Sequence, residues 1–274
     1  MRNGPMPLPC YFINLDRSVA RREHMETTFR SLSLKATRVS AIDGRNADLE
    51  EWRLTASEER WHRTLTGPEI GCFLSHRKTW QMIVDQPDAY AAVFEDDIQL
   101  SSDAATLLGQ ADWIPESAEC VKIDTSSVGG IFDHQRETGF RDFTLMTSRG
   151  DLRGTAGYII SRRAAQSLLD QTPRPLAPID VQMFNRTHAT FLNWDFLQLI
   201  PALCIQQSLD QENAFLPANA EISLIAQGKP RMKFGYKKVL RELKRPFNQL
   251  HAQLSKYSFW KVFSNTPQRV PFRK

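Results

Sequence analysis

Glu95, Asp96 and Asp97 stand as three consecutive carboxylates at the end of the apolar run Tyr90-Ala-Ala-Val-Phe94, and Ile98 and Leu100 follow them. While the chain stays extended, side chains alternate between faces, so Glu95 and Asp97 project to one side and Asp96 to the other. Two carboxylates on one side repel, and each raises the other's pKa unless a cation neutralises them. Oxygen ligands without histidine or thiolate favour a hard ion such as Mg²⁺ or Mn²⁺, which keeps positions open for water or substrate phosphates. Acids that reach phosphate through a divalent metal serve nucleotide-sugar transfer, polymerases and phosphohydrolases alike. A solvated turn after a strand explains the triplet equally well, so the triplet alone does not choose.

The elements that must position these acids read as strands alternating with helices. Pro9 to Leu15 is a short apolar strand, after which Ser18 can cap a helix through Phe29. Thr37 to Ile42 reads as a second strand and stops at the turn dipeptide Asp43-Gly44. Thr66-Gly-Pro-Glu69 opens a helix with Ile70, Phe73, Leu74, Trp80, Ile83 and Val84 mostly on one face. Further strands are expected over 90–94, 119–123 and 156–160, and Ser161 caps a helix over 162–169. This alternation predicts a mostly parallel α/β sheet. Three strands end in acids, at Asp16, Asp43 and Glu95-Asp96-Asp97. In open sheets ligands bind beyond the carboxyl ends of the strands, so parallel neighbours here would gather those acids on one edge.

Composition narrows the class. A chain of 274 residues with 41% hydrophobic content can bury a large core. Four cysteines, Cys10, Cys72, Cys120 and Cys204, stand far apart with no CxxC pair, which argues against a zinc module or disulfide scaffold and suits a reducing cytoplasm. No window approaches the roughly 20 apolar residues a spanning helix needs. From Lys229 to Lys274 there are 13 Lys and Arg against one acid, Glu242, a net of +12; the first 228 residues carry 22 basic and 30 acidic residues, a net of −8. The sequence therefore divides into an acidic body, 1–228, and a basic extension, 229–274. In the extension Leu240, Leu243, Phe247, Leu250, Leu254 and Tyr257 recur at spacings of three and four among basic residues, an amphipathic helical pattern interrupted at Pro246.

Several stretches together resemble the family 25 glycosyltransferases, known for lipopolysaccharide-type galactosyl and glucosyl transfer. They are YFINLDRSVARR (11–22), RVSAIDGR (38–45), LTGPEIGCFLSHRKTW (65–80), AAVFEDDIQL (91–100), GTAGYIISRRAAQSLL (154–169) and PIDVQM (178–183), in the family's order. The resemblance implies a GT-A-like domain carrying a DxD-type metal motif at a strand end. Carried over, Asp97 becomes the ligand of Mn²⁺ or Mg²⁺, with Glu95 as a second ligand or donor contact and Asp96 at the donor or behind the metal. Asn14, Leu15 and Arg17 become donor-site candidates, while Arg21 and Arg22 read as helix-surface charges. Asp43 either reads the nucleoside or forms an ordinary turn, and Gly44 permits that turn. His76 is a pocket residue or a packed core histidine, with Ser75 and Lys78 as weaker candidates. Gly71 allows close packing of helix on sheet. Gly157 lets backbone approach the donor sugar or simply packs in its strand.

Family 25 enzymes are classed as inverting, so a general base is needed, and Asp180 matches the family's late acid. An N-cap is the competing role of Asp180; Asp151, Asp195 and Glu212 are alternative bases. The implied function is transfer of a hexose, galactose preferred over glucose, from UDP-galactose or UDP-glucose to a lipid-linked saccharide of lipopolysaccharide or lipooligosaccharide. The basic extension then docks on an anionic membrane surface, at the cytoplasmic face of the inner membrane. Two other classes compete: nucleic-acid binding through the basic, aromatic extension, disfavoured by the acidic body, and a metal-dependent phosphohydrolase using the same acids.

Overall fold

Alternate burial of successive side chains organises the core into two layers on either side of one sheet. In the computed structural model, which describes residues 7–45, 49, 52, 64–126, 129–186, 189, 192–209 and 268–274, β1 (Cys10–Asn14) is buried throughout. Its Cys10 and Phe12 pack with Met25 and Phe29 of α1 (Val19–Ser31), whereas Tyr11 and Ile13 pack with Phe73, Trp80 and Ile83 of α2 (Gly67–Val84). Helices thus cover both faces. Ser18 takes the N-cap position of α1 without a side-chain capping bond. The start of α2 is fixed by a capping box: Thr66 Oγ1 accepts from the Glu69 amide while Glu69 accepts from the Thr66 amide.

The chain continues through β2 (Ala36–Ser40), which precedes α2, then β3 (Tyr90–Glu95), β4 (Ile98–Leu100), α3 (Ala104–Leu108), β5 (Cys120–Lys122), β6 (Asp124–Thr125), β7 (Phe132–Glu137), β8 (Thr144–Ser148) and β9 (Gly157–Ser161). It ends in α4 (Arg162–Gln171), α5 (Ile179–Phe184), β10 (Leu197–Ile200) and β11 (Cys204–Gln206). An eight-stranded sheet has the order β2-β1-β3-β9-β5-β10-β8-β7, and a small second sheet the order β4-β11-β6.

The large sheet is mixed rather than mostly parallel. β1 runs parallel to β2 and β3, and β10 to β5, but β9 lies antiparallel between β3 and β5, and β7 and β8 are antiparallel as well. Parallel neighbours need a crossover of a dozen or more residues, usually a helix. The described residues between Asp124 and Gly157 include none, so the chain there pairs back on itself.

The expected gathering of strand ends does occur: β1, β2 and β3 are adjacent and parallel, so Asp16, Asp43 and the acidic triplet emerge at one edge. β9 begins and β5 ends at that same edge. Helix α2 approaches it closely because Gly71 faces the loop after β2, where a Cβ would lie 2.6 Å from the Ile42 carbonyl and 2.8 Å from the Gly44 amide. Gly44 is likewise demanded by proximity to Gly67 and Pro68, not by a positive φ. Gly71→Ala is expected to cost about 1–3 kcal/mol by overpacking, read as a lower urea midpoint with unchanged slope.

Gln268 pairs with Gly130 and Phe272 with Ala202, and Arg273 reaches Asp103 and Asp142, each at 2.9 Å. The last seven residues are therefore seated on the body. The amphipathic pattern expected between Tyr236 and Tyr257 lies outside the described residues, as does Glu212. Among the described residues no helix is long and apolar enough to cross a membrane.

Candidate active site

At the acid-bearing edge, β3 ends on Glu95 and the next two residues turn into β4. The partners of the triplet divide only in part as alternation predicts, because Asp96 and Asp97 stand in the turn and Arg21 reaches both. Asp96 accepts from Asn14 Nδ2 at 2.7 Å and from Arg21 Nη1 at 2.9 Å. Glu95 Oε2 and Asp97 Oδ1 instead share one donor, Gln206 Nε2, at 3.0 and 3.3 Å. Glu95 Oε1 accepts from the Thr155 hydroxyl at 2.7 Å. Asp96 and Asp97 are both more than nine-tenths buried.

Burial dominates the electrostatics. It pushes Asp97 up to about 7, with the Glu95 charge adding to the rise and Arg21 opposing it. Asp96 is raised by burial too, against the pull of Arg21 and Asn14. Glu95 is also pushed up by burial, but the His76 ring and the Thr155 hydroxyl outweigh that and hold it below the ordinary glutamate range. The site thus holds an ionised Glu95 beside an Asp97 that resists ionisation.

A second cluster adjoins the first. Lys122 and Asp124, both about 98% buried, form an ion pair at the end of β5. Lys122 Nζ also donates to the Gly154 carbonyl at 2.8 Å, and Asp124 accepts from the Ala156 amide at 3.2 Å. Gly154, at φ +78°, turns its own amide to Asp180 Oδ2 at 3.2 Å. Asp180 Oδ1 accepts from the Val181 amide at 2.9 Å. Asp180 sits in the first turn of α5 behind the N-cap position, which Pro178 occupies, so it is not the cap. Glu95 and Asp180 are in this way tied to the adjacent residues Thr155 and Gly154 of one loop.

The remaining expected residues take varied places. Asn14 is 1% exposed and spends its side chain on Asp96, Arg38 and the Ser18 carbonyl, so it positions Asp96 rather than facing a ligand. The Leu15 carbonyl accepts from the Ser18 amide at 2.9 Å and turns the chain into α1. Arg17 pairs with Asp43, whose other oxygen accepts from the Arg45 amide in a turn. His76 is fully buried, with Nδ1 2.9 Å from the Tyr158 hydroxyl. Ser75 and Lys78 bond to the stretch 40–42 and join α2 to β2. Gly157 does not open a path to a sugar: its missing side chain is replaced by Cys204 Sγ, 2.3 Å from where a Cβ would stand. Asp151 accepts from Asn185 and Arg186, and exposed Asp195 faces Arg136 on the outermost strand.

The matching profile is that of glycosyltransferase family 25, described as an LPS biosynthesis protein, over residues 8–183. The chain belongs to glycosyltransferase family 25. A lacto-N-neotetraose biosynthesis glycosyltransferase, LgtB, of Neisseria gonorrhoeae is 32% identical over 72% of this chain and 74% of its own. A lipooligosaccharide biosynthesis protein, lic2B, of Haemophilus influenzae is 26% identical over 72% of this chain and 75% of its own. A Bos taurus relative named as a "probable inactive" family 25 member is 29% identical over 62% of this chain and 30% of its own. Membership in family 25 therefore leaves activity to be argued from the site.

Four members of this family 25 site escaped sequence reasoning. Arg21 is no surface charge: its side chain is 13% exposed and spans Asp96 and Asp97, whereas Arg22 pairs with Glu26 on the helix surface. Lys122 and Asp124 carried a usable signal, since Val121-Lys-Ile-Asp124 is a fourth strand ending in an acid. Gln206 stands in the polar end, Gln206-Gln207-Ser208, of the run that begins at Pro201, which by itself assigns it no contact.

Proposed function

We propose that the chain is an inverting, metal-dependent hexosyltransferase of the GT-A type, moving galactose from UDP-galactose to a saccharide of lipopolysaccharide or lipooligosaccharide. The observation that carries this reading is the Glu95–Gln206–Asp97 arrangement joined through the 154–155 loop to Asp180. It supplies a cation-binding acid pair and a separate basic carboxylate held in one frame. UDP-glucose is the alternative donor. The acceptor class is supported by the family description and by the names of the bacterial relatives. Retention of Glu95, Asp97 and Asp180 favours an active enzyme over a degenerate one.

The acid pair fits a hard divalent ion. Its facing oxygens belong to two carboxylates, and Asp97, pushed up to about 7, meets a guanidinium only at 3.6 Å. Glu95 and Asp97 would hold Mn²⁺ or Mg²⁺, which when bound offsets the negative charge on the departing nucleoside diphosphate. Asp180 accepts the acceptor hydroxyl's proton as the new glycosidic C–O bond forms and the sugar–phosphate bond breaks, its electron pair leaving on the diphosphate. Lys122 anchors Gly154 through its carbonyl, and the amide of the same residue orients Asp180. Asn14 and Arg21 hold Asp96, and Arg21 links it to Asp97. The basic stretch 229–267 is assigned, in the same reading, to an anionic membrane surface bearing the acceptor.

A panel of nucleotide sugars with and without Mn²⁺, followed by thermal shift and donor hydrolysis, should give a metal-dependent response to UDP-galactose. No such response to any UDP-sugar overturns the reading. Asp180→Asn should keep donor and Mn²⁺ binding while transfer falls roughly 10²–10⁴-fold; near-normal turnover removes Asp180 as the base.

A further inference from the structure

Cys72 and His76 lie one turn apart on α2, a spacing that puts both side chains on the same face. Glu95, arriving from the end of β3, brings a carboxylate oxygen to them, and the thiol sulfur, a ring nitrogen and that oxygen lie within 4.8 Å of one another. His76 Nε2 is buried and has no hydrogen-bond partner. Glu95 Oε1 stands 3.7 Å from it, beyond hydrogen-bonding reach. A buried nitrogen beside a thiol and a carboxylate, hydrogen-bonded to neither, is an exception to the rule that buried polar atoms find partners, and the three make the donor set of a metal site.

We propose that Cys72 Sγ, His76 Nε2 and Glu95 Oε1 form a three-ligand site for a borderline-soft divalent ion of the zinc class, with a fourth position open. Thiolate and imidazole select such an ion over Mg²⁺ or Mn²⁺. The charges balance: the thiol proton leaves to solvent as the sulfur–metal bond forms, so one thiolate and one carboxylate cancel the ion's two positive charges beside a neutral imidazole. Around a tetrahedral ion the ligand atoms sit about 3.5 Å apart, so side-chain shifts of about 1 Å close the site.

The surroundings are arranged as supports. The Tyr158 hydroxyl takes a hydrogen bond from Trp80 Nε1 at 2.9 Å and lies 2.9 Å from His76 Nδ1. With Nδ1–H donating to Tyr158, the lone pair is left on Nε2, where the metal binds. The Thr155 hydroxyl fixes Glu95 Oε1 at 2.7 Å. Cys72 is only half-buried, which leaves a route for the ion. The other Glu95 oxygen, Oε2, faces Gln206 together with Asp97. The two sites therefore lie on opposite oxygens of one carboxylate, and the thiolate site stands or falls independently of the transferase reading.

The test adds Co²⁺, then Zn²⁺, to the full chain stripped of metal and kept reduced. One equivalent of Co²⁺ should produce a thiolate-to-cobalt charge-transfer band that Zn²⁺ abolishes, and Zn²⁺ should protect Cys72 from alkylation, read by mass spectrometry. Cys72→Ser, which nearly preserves volume, should lose the band and the protection, and His76→Gln should lose the band. Asp97→Asn should keep both, which separates this site from the carboxylate pair. Cobalt binding without the band, a band that survives Cys72→Ser, or no binding at all overturns the proposal.

Discussion

Asp97→Asn is expected to impair transfer severely and, in the metal-free protein, to raise thermal stability at pH 8. The carboxylate of Asp97 is pushed up to about 7 by burial and by Glu95, whereas an unfolded aspartate ionises near pH 3.9. Between those values the folded protein binds the extra proton, so this group favours folding most below about pH 4, and that contribution is lost as pH rises through about 7. Asparagine carries no charge at any pH and can still accept from Gln206. At pH 8 the variant should therefore be the more stable by roughly 4 kcal/mol, a shift of several degrees, and the advantage should shrink towards pH 5. Transfer should fall by about 10²–10³-fold, the scale on which loss of one group stabilising transition-state charge is felt. Melting in EDTA at the two pH values, paired with a transfer assay, checks both halves. Equal melting shifts at pH 5 and pH 8 would remove the electrostatic account.

Lys122→Met should do the reverse, lowering stability by about 3–5 kcal/mol, because it leaves Asp124 charged and unpaired in the core. Asp124 is already pushed up to about 6 by burial despite its partner. Without Lys122 it rises further, so the deficit should be smallest at pH 5 and grow as pH increases. Lys122→Met combined with Asp124→Asn removes the orphaned charge while keeping an acceptor for the Ala156 amide, and should recover a large part of the loss. Transfer should stay impaired in the double variant, since the Gly154 carbonyl still lacks the lysine that steadies the residue whose amide is bonded to Asp180. Urea unfolding of both variants separates the terms; a double variant no more stable than the single one contradicts the pairing argument.

Much of this site was legible because it obeys rules local to a strand. The alternation across Glu95, Asp96 and Asp97 predicted that Glu95 and Asp97 share a partner, though not that Arg21 joins Asp96 to Asp97, and acids after three apolar runs predicted the edge on which they gather. What escaped depends on residues far apart in the chain. Arg21 is 75 positions from Asp96 and Gln206 is 111 from Glu95, and no periodicity connects them. The antiparallel β9 was missed because its apolar run reads the same in either direction; only the want of a helix before it betrays its sense. His76 is a pocket candidate from its motif, but a search for CxxC pairs does not join it to Cys72, one helical turn away, and the third member of the cluster comes from another element.

The seating of Gln268 to Arg273 on the body has a topological consequence. The body holds the chain up to Leu209 and takes it up again at Gln268, so the basic stretch is tethered at both ends rather than trailing from one. Cutting at residue 228 would discard that re-entry together with the Arg273 bridges to Asp103 and Asp142, and would unsettle the Thr125–Val270 contact beside the buried lysine strand. The basic stretch can thus be removed without loss of the contacts beyond it only by internal replacement, because residues 268–273 are part of the body's wall.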